Sequence, residues 1–258
     1  MTQVIYDGTY EGWLTAVFEI YEYKLKDIIF AKKEPLGTLL FSTNYFVVTN
    51  PDKAKRVANG LKQRLSEEGF RRIYGTFLSE VHQAEEIMFR FAEYVFSSSK
   101  NVEEDLSNSE VWEVRKAARL TAKESHRMEA FVRFKLTKDQ LYYAIVEPDC
   151  DVLPLIESHF KNRYTDQRWL IYDAKRKYGI YYDLVNVATV TLQFNPKSAS
   201  SKALTEICDE EEEFFQNLWK RYFSSVNIES RKNMRLHLQH MRKRYWKNLT
   251  EKIPDFKK

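Results

Sequence analysis

The dominant spacing of apolar residues changes at Met128, and that change limits the fold more than any other feature. Between Tyr10 and Phe96 apolar residues recur at helical intervals. Trp13, Val17 and Ile20 share one face of a helix predicted over Tyr10–Tyr23. Ile73, Phe77, Val81, Ile87, Phe91 and Val95 mark a long helix over about Phe70–Phe96, with Gly75 as the place for a kink. From Met128 the period becomes two. Met128–Leu136, Leu141–Val146, Trp169–Tyr172, Tyr178–Tyr182 and Val187–Leu192 then read as strands. Helices first and strands second describe an α+β chain: a mostly helical N-terminal part followed by an antiparallel or mixed β-sheet packed by helices.

Local signals fill in the rest. Gln3–Tyr6 and Tyr45–Val48 read as short strands, and Thr9 is placed to cap the first helix. Asn50-Pro51 is a strong helix start, because Asn supplies the cap oxygen and Pro gives up an N–H that has no partner there. That helix is predicted to run to about Gly69. Ser107-x-x-Glu110 resembles a capping box opening a helix to about Lys123. Further helices are expected over Pro154–Arg163, Thr205–Ser224 and Ser230–Met241. The Ser- and Asn-rich stretch Ser97–Ser109 is the clearest linker. It divides the chain into a helical N-terminal subdomain, residues 1–100, and an α+β core domain with basic C-terminal helices, residues 107–258.

Composition excludes several function classes. Seven glycines in 258 residues leave no GxxxxGK[ST] and no GxGxxG, so Gly-rich phosphate cradles are absent. Cys150 and Cys208 are far apart and form no CxxC, which points to a reduced, cytoplasmic protein without a disulfide framework, an iron–sulfur cluster or a structural zinc site. No cofactor and no metal site is expected. The N-terminus lacks the pattern of a signal peptide, and no apolar run approaches the roughly 20 residues of a membrane helix.

The formal net charge is only +4, but it is unevenly distributed. From Phe214 to Lys258 twelve Lys and Arg face three acids. Lys232, Arg235, Arg242, Lys243 and Arg244, with Trp246 interleaved, form a candidate phosphate-tracking element; a solubilising face is the competing reading. Read as a strand, Ser125–Phe134 would put Arg127, Phe131 and Arg133 in one row, guanidiniums for phosphate and a ring for base stacking. An ordinary solvated face with Glu129 pairing an Arg explains the same row. Carboxylates cluster in EPDCD, and Glu147 and Asp149 with His126 and His159 are candidates for acid–base or metal-assisted hydrolysis of a phosphodiester. The alternative is a Pro-containing turn whose Asp side chains bond their own backbone.

HRMEAFVRF, EPDCDVLPLIESHFKNRY, WLIYDAKRKYGIYYD and RYWKNL, together with YDGTYEGWLTAVFEIYE and AKRVANGLKQRLS near the start, resemble a bacterial family of uncharacterised domains linked to DNA metabolism and DNA repair. The resemblance spans nearly the whole chain. It implies DNA as a partner and a radical-SAM protein as a neighbour; a related domain is sometimes fused to a uracil-DNA-glycosylase-like domain. This chain has neither that fusion nor the CxxxCxxC of a radical-SAM enzyme, so neither activity passes to it. The leading expectation is a DNA-binding accessory protein, using Arg127, Phe131, Arg133, Arg163 and the basic C-terminal region. The alternatives are a hydrolase acting on nucleotides or nucleic acid and a protein-binding adaptor.

Overall fold

The structure is a computed structural model and describes residues 1–34, 42–191, 212–225 and 233–252. It divides into two compact units, Met1–Lys123 and Glu124–Lys258. The fold is α+β, with helices dominating the N-terminal part and a mixed sheet packed by helices after it.

The first unit opens with β1 (Thr2–Tyr6), the central strand of a small parallel sheet of order β2-β1-β3. Its neighbours are β2 (Ile28–Lys32) and β3 (Thr43–Phe46), with Val4 opposite Phe30 and Tyr45. β2 has no counterpart in the sequence-based reading. Helix α1 (Tyr10–Tyr23) starts where expected, with the Thr9 hydroxyl accepting from the Gly12 N–H at 2.9 Å. α2 (Pro51–Lys62) starts on Asn50, whose side-chain oxygen accepts from Asp52 and Lys53 N–H.

Two predicted long helices are each divided. The first stops at Lys62, because Ser66 opens a new helix, α3 (Glu67–Ser79), by accepting from the Gly69 N–H at 3.0 Å. The second breaks between α3 and α4 (Ala84–Ser97), where Glu80 and Gln83 take left-handed conformations. Gly75 is therefore not a kink. A Cβ there would lie 3.3 Å from that of Ala118, and the Thr121 hydroxyl donates to the Gly75 carbonyl at 2.7 Å, so the glycine serves close helix packing. The polar stretch after α4 is tied into this unit: Glu104 pairs with Arg72 and Arg115, and Asp105 accepts from the Tyr94 hydroxyl at 2.7 Å.

Helix α5 (Ser109–Phe131) spans the division between the units. It is capped by Asn108, which accepts from Glu110 and Val111 N–H, and it runs well beyond Lys123. The strand predicted over Met128–Leu136 is thereby corrected: only Lys135–Leu136 is extended, as β4. The buried positions Val114, Ala117, Thr121, Glu124 with Ser125, and Met128 follow one another at steps of three or four residues, as one face of a helix requires. Ala130, which a period of two would bury, is exposed.

The second unit holds a five-stranded sheet of order β4-β5-β6-β7-β8, comprising β5 (Tyr142–Val146), β6 (Trp169–Asp173), β7 (Tyr178–Tyr182) and β8 (Val187–Val190). β5 and β6 run parallel, joined by α6 (Leu153–Arg163); the other pairs are antiparallel. Gly179 passes so close to β6 that a Cβ would stand 2.8 Å from the Ile171 carbonyl oxygen. Trp169, Ile171, Leu153, Ile156 and Phe160 form the core. Helices α7 (Glu212–Ser225) and α8 (Met234–His240) follow, then 3-10 turns at Lys243–Asn248 and Thr250–Lys252 that bury Tyr245 and Leu249. Cys150 is buried, and Cys208 lies outside the described residues. Among the described residues no helix is long and apolar enough to cross a membrane.

Candidate functional site

The second unit contains a cleft of about 830 Å³, walled by the end of α5, by α6 and by α7. Local helix geometry explains how its polar groups meet. On α6, His159 and Arg163 are four residues apart and share a face. On α7, Glu212, Gln216 and Trp219 do the same, and α5 brings His126 and Glu129. Phe134, Tyr142, Phe160 and Tyr164 supply aromatic wall. The His126 side chain is 86% exposed, and its Nδ1 lies 3.5 Å from a Glu129 oxygen. The exposed Arg163 guanidinium lies 5.8 Å from the centre of the Tyr164 ring.

The four acid–base candidates fall into two pairs. His126 and His159 line the cleft. Glu147 and Asp149 do not; they form ion pairs with Lys247 and Arg244. A constellation of all four is not assembled there. Among the described residues no three His, Cys, Asp or Glu are grouped so as to hold a metal ion.

The cations expected to hold phosphate also divide. Arg127 lies 3.5 Å from Glu124. Arg244 pairs with both Glu124 and Asp149. Glu124 further accepts from the Tyr245 hydroxyl at 2.6 Å and from the Asp149 N–H at 3.0 Å. Burial, and then that hydrogen bond to Glu124, push the Tyr245 phenol up to about 12. Arg133 lines the cleft but donates to the buried Glu251 at 3.2 and 2.8 Å, with its guanidinium over the Trp219 ring. Phe131 packs on Tyr245, ring centres 5.3 Å apart, instead of facing solvent in a row with the arginines. Trp246 is half-buried and donates to the Met241 carbonyl at 3.1 Å. Arg163, Arg235, Arg242 and Lys243 are exposed. Lys232 lies outside the described residues.

Sequence reasoning missed Tyr142, Tyr164, Glu212, Gln216 and Trp219 as site residues. The signal was the i, i+4, i+7 spacing that puts the polar Glu212 and Gln216 in line with Trp219, on a helix read only by its apolar face.

Residues 82–251 match the family described as a domain of unknown function, DUF4130. The chain belongs to this family. The match includes every residue that lines the cleft. It agrees with the resemblance to an uncharacterised family, and its description assigns no activity. No curated protein matches the chain. Among solved structures, a pGpG-specific phosphodiesterase, PggH from Vibrio cholerae, aligns over 88% of this chain and 99% of its own at 9% identity and a TM-score of 0.31. Similarity that low carries no argument about fold or activity.

Proposed function

We propose that this chain is a nucleic-acid-binding accessory protein of DNA metabolism, and that the cleft of the second unit holds one nucleotide of a single-stranded or distorted segment. One observation carries the reading: the exposed Arg163 and His126 and the half-buried His159 share a single cleft with the rings of Tyr142, Tyr164 and Trp219. A nucleotide needs both features. Its phosphate seeks a guanidinium, and its base gains roughly 1–3 kcal/mol from stacking on an aromatic side chain. Arg127, Arg133 and Arg244 have carboxylate partners, so the phosphate contact is assigned to Arg163. The DNA-repair role and the radical-SAM partner are proposals that rest on the resemblance. Co-purification of the two proteins without nucleic acid would instead favour an adaptor.

Fluorescence anisotropy with a short single-stranded oligonucleotide tests the reading. R163E is expected to weaken binding by about tenfold, the loss of one charge-assisted hydrogen bond. Unchanged affinity in a folded R163E protein removes the cleft from the proposal.

A further inference from the structure

Glu212 is a buried carboxylate on the wall of a cleft that also holds aromatic rings, and its role as the first residue of α7 does not exhaust it. The side chain is almost fully enclosed, at 7% exposure. One oxygen accepts from the Leu136 N–H at 2.9 Å, which ties α7 to β4. The other accepts from the Gln216 side-chain amide at 2.9 Å. An ionised carboxylate has about four acceptor positions, two on each oxygen. Each oxygen of Glu212 therefore keeps one position beyond these bonds, on a group that borders the cleft with Tyr142 and Trp219. Both oxygens are already held by protein donors, so the carboxylate is oriented before any ligand arrives.

We infer that Glu212 reads the base, and that the base is guanine; this rests on the nucleotide-binding reading above. Two adjacent acceptors call for two adjacent donors. Guanine alone of the four DNA bases presents them, N1–H beside the N2 amine on its Watson–Crick edge. Adenine and cytosine each place a ring acceptor beside their single amine, and thymine sets one N–H between two carbonyls. Each would turn a lone pair toward a desolvated carboxylate, a repulsion that discriminates as strongly as the attraction does. Arg163 and His159, on α6, are left for the phosphate.

The test uses the full chain and a panel of pentanucleotides, dTTXTT, in which X is guanine, hypoxanthine, adenine, cytosine or thymine. Phosphate contacts are the same throughout, and hypoxanthine differs from guanine only by the missing N2 amine. The guanine oligomer is expected to bind about tenfold or more tightly than each of the others, the discrimination of a bidentate base contact. E212Q should bring the guanine oligomer down to the level of hypoxanthine. Circular dichroism checks that the variant is folded, and the wild-type panel decides the matter alone if it is not. Equal binding of all five oligomers by the wild type overturns the guanine assignment and leaves the nucleotide-binding cleft standing. Binding of none of them overturns both.

Discussion

At the scale of single residues, the second unit is held by carboxylates that have left water and recovered their losses from fixed donors. Glu251 shows the balance most clearly. Its side chain is 1% exposed, and it accepts from Arg133 and, at 2.9 Å, from the Trp219 indole. Burial alone would raise its carboxyl, but the hydrogen bonds and charge of Arg133 with the Trp219 donor outweigh that and hold it below the ordinary range. A carboxyl depressed in the folded state stabilises it at pH above the unfolded value, about 4.3 for Glu, and that contribution is lost as pH falls through the lower folded value. R133M leaves the carboxylate buried without its cation, which is expected to cost about 3 kcal/mol at neutral pH. Urea unfolding checks the loss. It should also show that the wild type loses stability below pH about 4.3 more steeply than R133M does. Parallel pH profiles would show that Arg133 does not hold this carboxylate.

At the scale of elements, the C-terminal half of α5 separates what the sequence reveals from what it conceals. Strands β5, β6 and β7, and helix α6, lie within a residue or so of their predicted limits, because the apolar positions that each buries lie within its own short segment. Met128–Phe134 is ambiguous, since Met128 and Val132 satisfy a period of two and a spacing of four equally. What decides it lies far away in sequence: Glu124 is buried by partners from residues 149, 244 and 245, and Thr121 by the Gly75 carbonyl. Such pairings continue the helix, and no local pattern announces them. The cleft was partly legible for the same reason. His126, His159 and Arg163 stood out as residue types, whereas Glu212 and Trp219 join them only through the packing of α7. The helical assignment has a direct consequence at Ala130, which is exposed and makes little packing contribution. A130G should cost about 1 kcal/mol and A130P about 3 kcal/mol or more, because proline removes a helical N–H and clashes with the preceding turn. Thermal unfolding measures both; equal, small effects would mean that residue 130 is not within a helix.

At the scale of the whole molecule, the number of cations matters less than how many are already engaged. The segment from Phe214 to Lys258 has an excess of nine positive charges, more than the chain's net +4. Arg244 and Lys247 in that segment are paired with Asp149 and Glu147, as Arg133 is with Glu251. Arg235, Arg242 and Lys243 are exposed there, as is Arg163 on the cleft. Each phosphate neutralised on a single strand contributes about −0.7 to the slope of log Kobs against log salt, so contacts from these four predict a slope near −3. The double variant R242E/K243E should reduce the slope by about 1.4, whereas R133M, at a temperature where it stays folded, should leave it unchanged. A titration of oligonucleotide binding across salt concentrations separates the two kinds of arginine. If removing Arg133 lowers the slope as much as removing Arg242 and Lys243 does, the ion pair with Glu251 opens when nucleic acid binds, and the sealed cations have to be counted among the contacts.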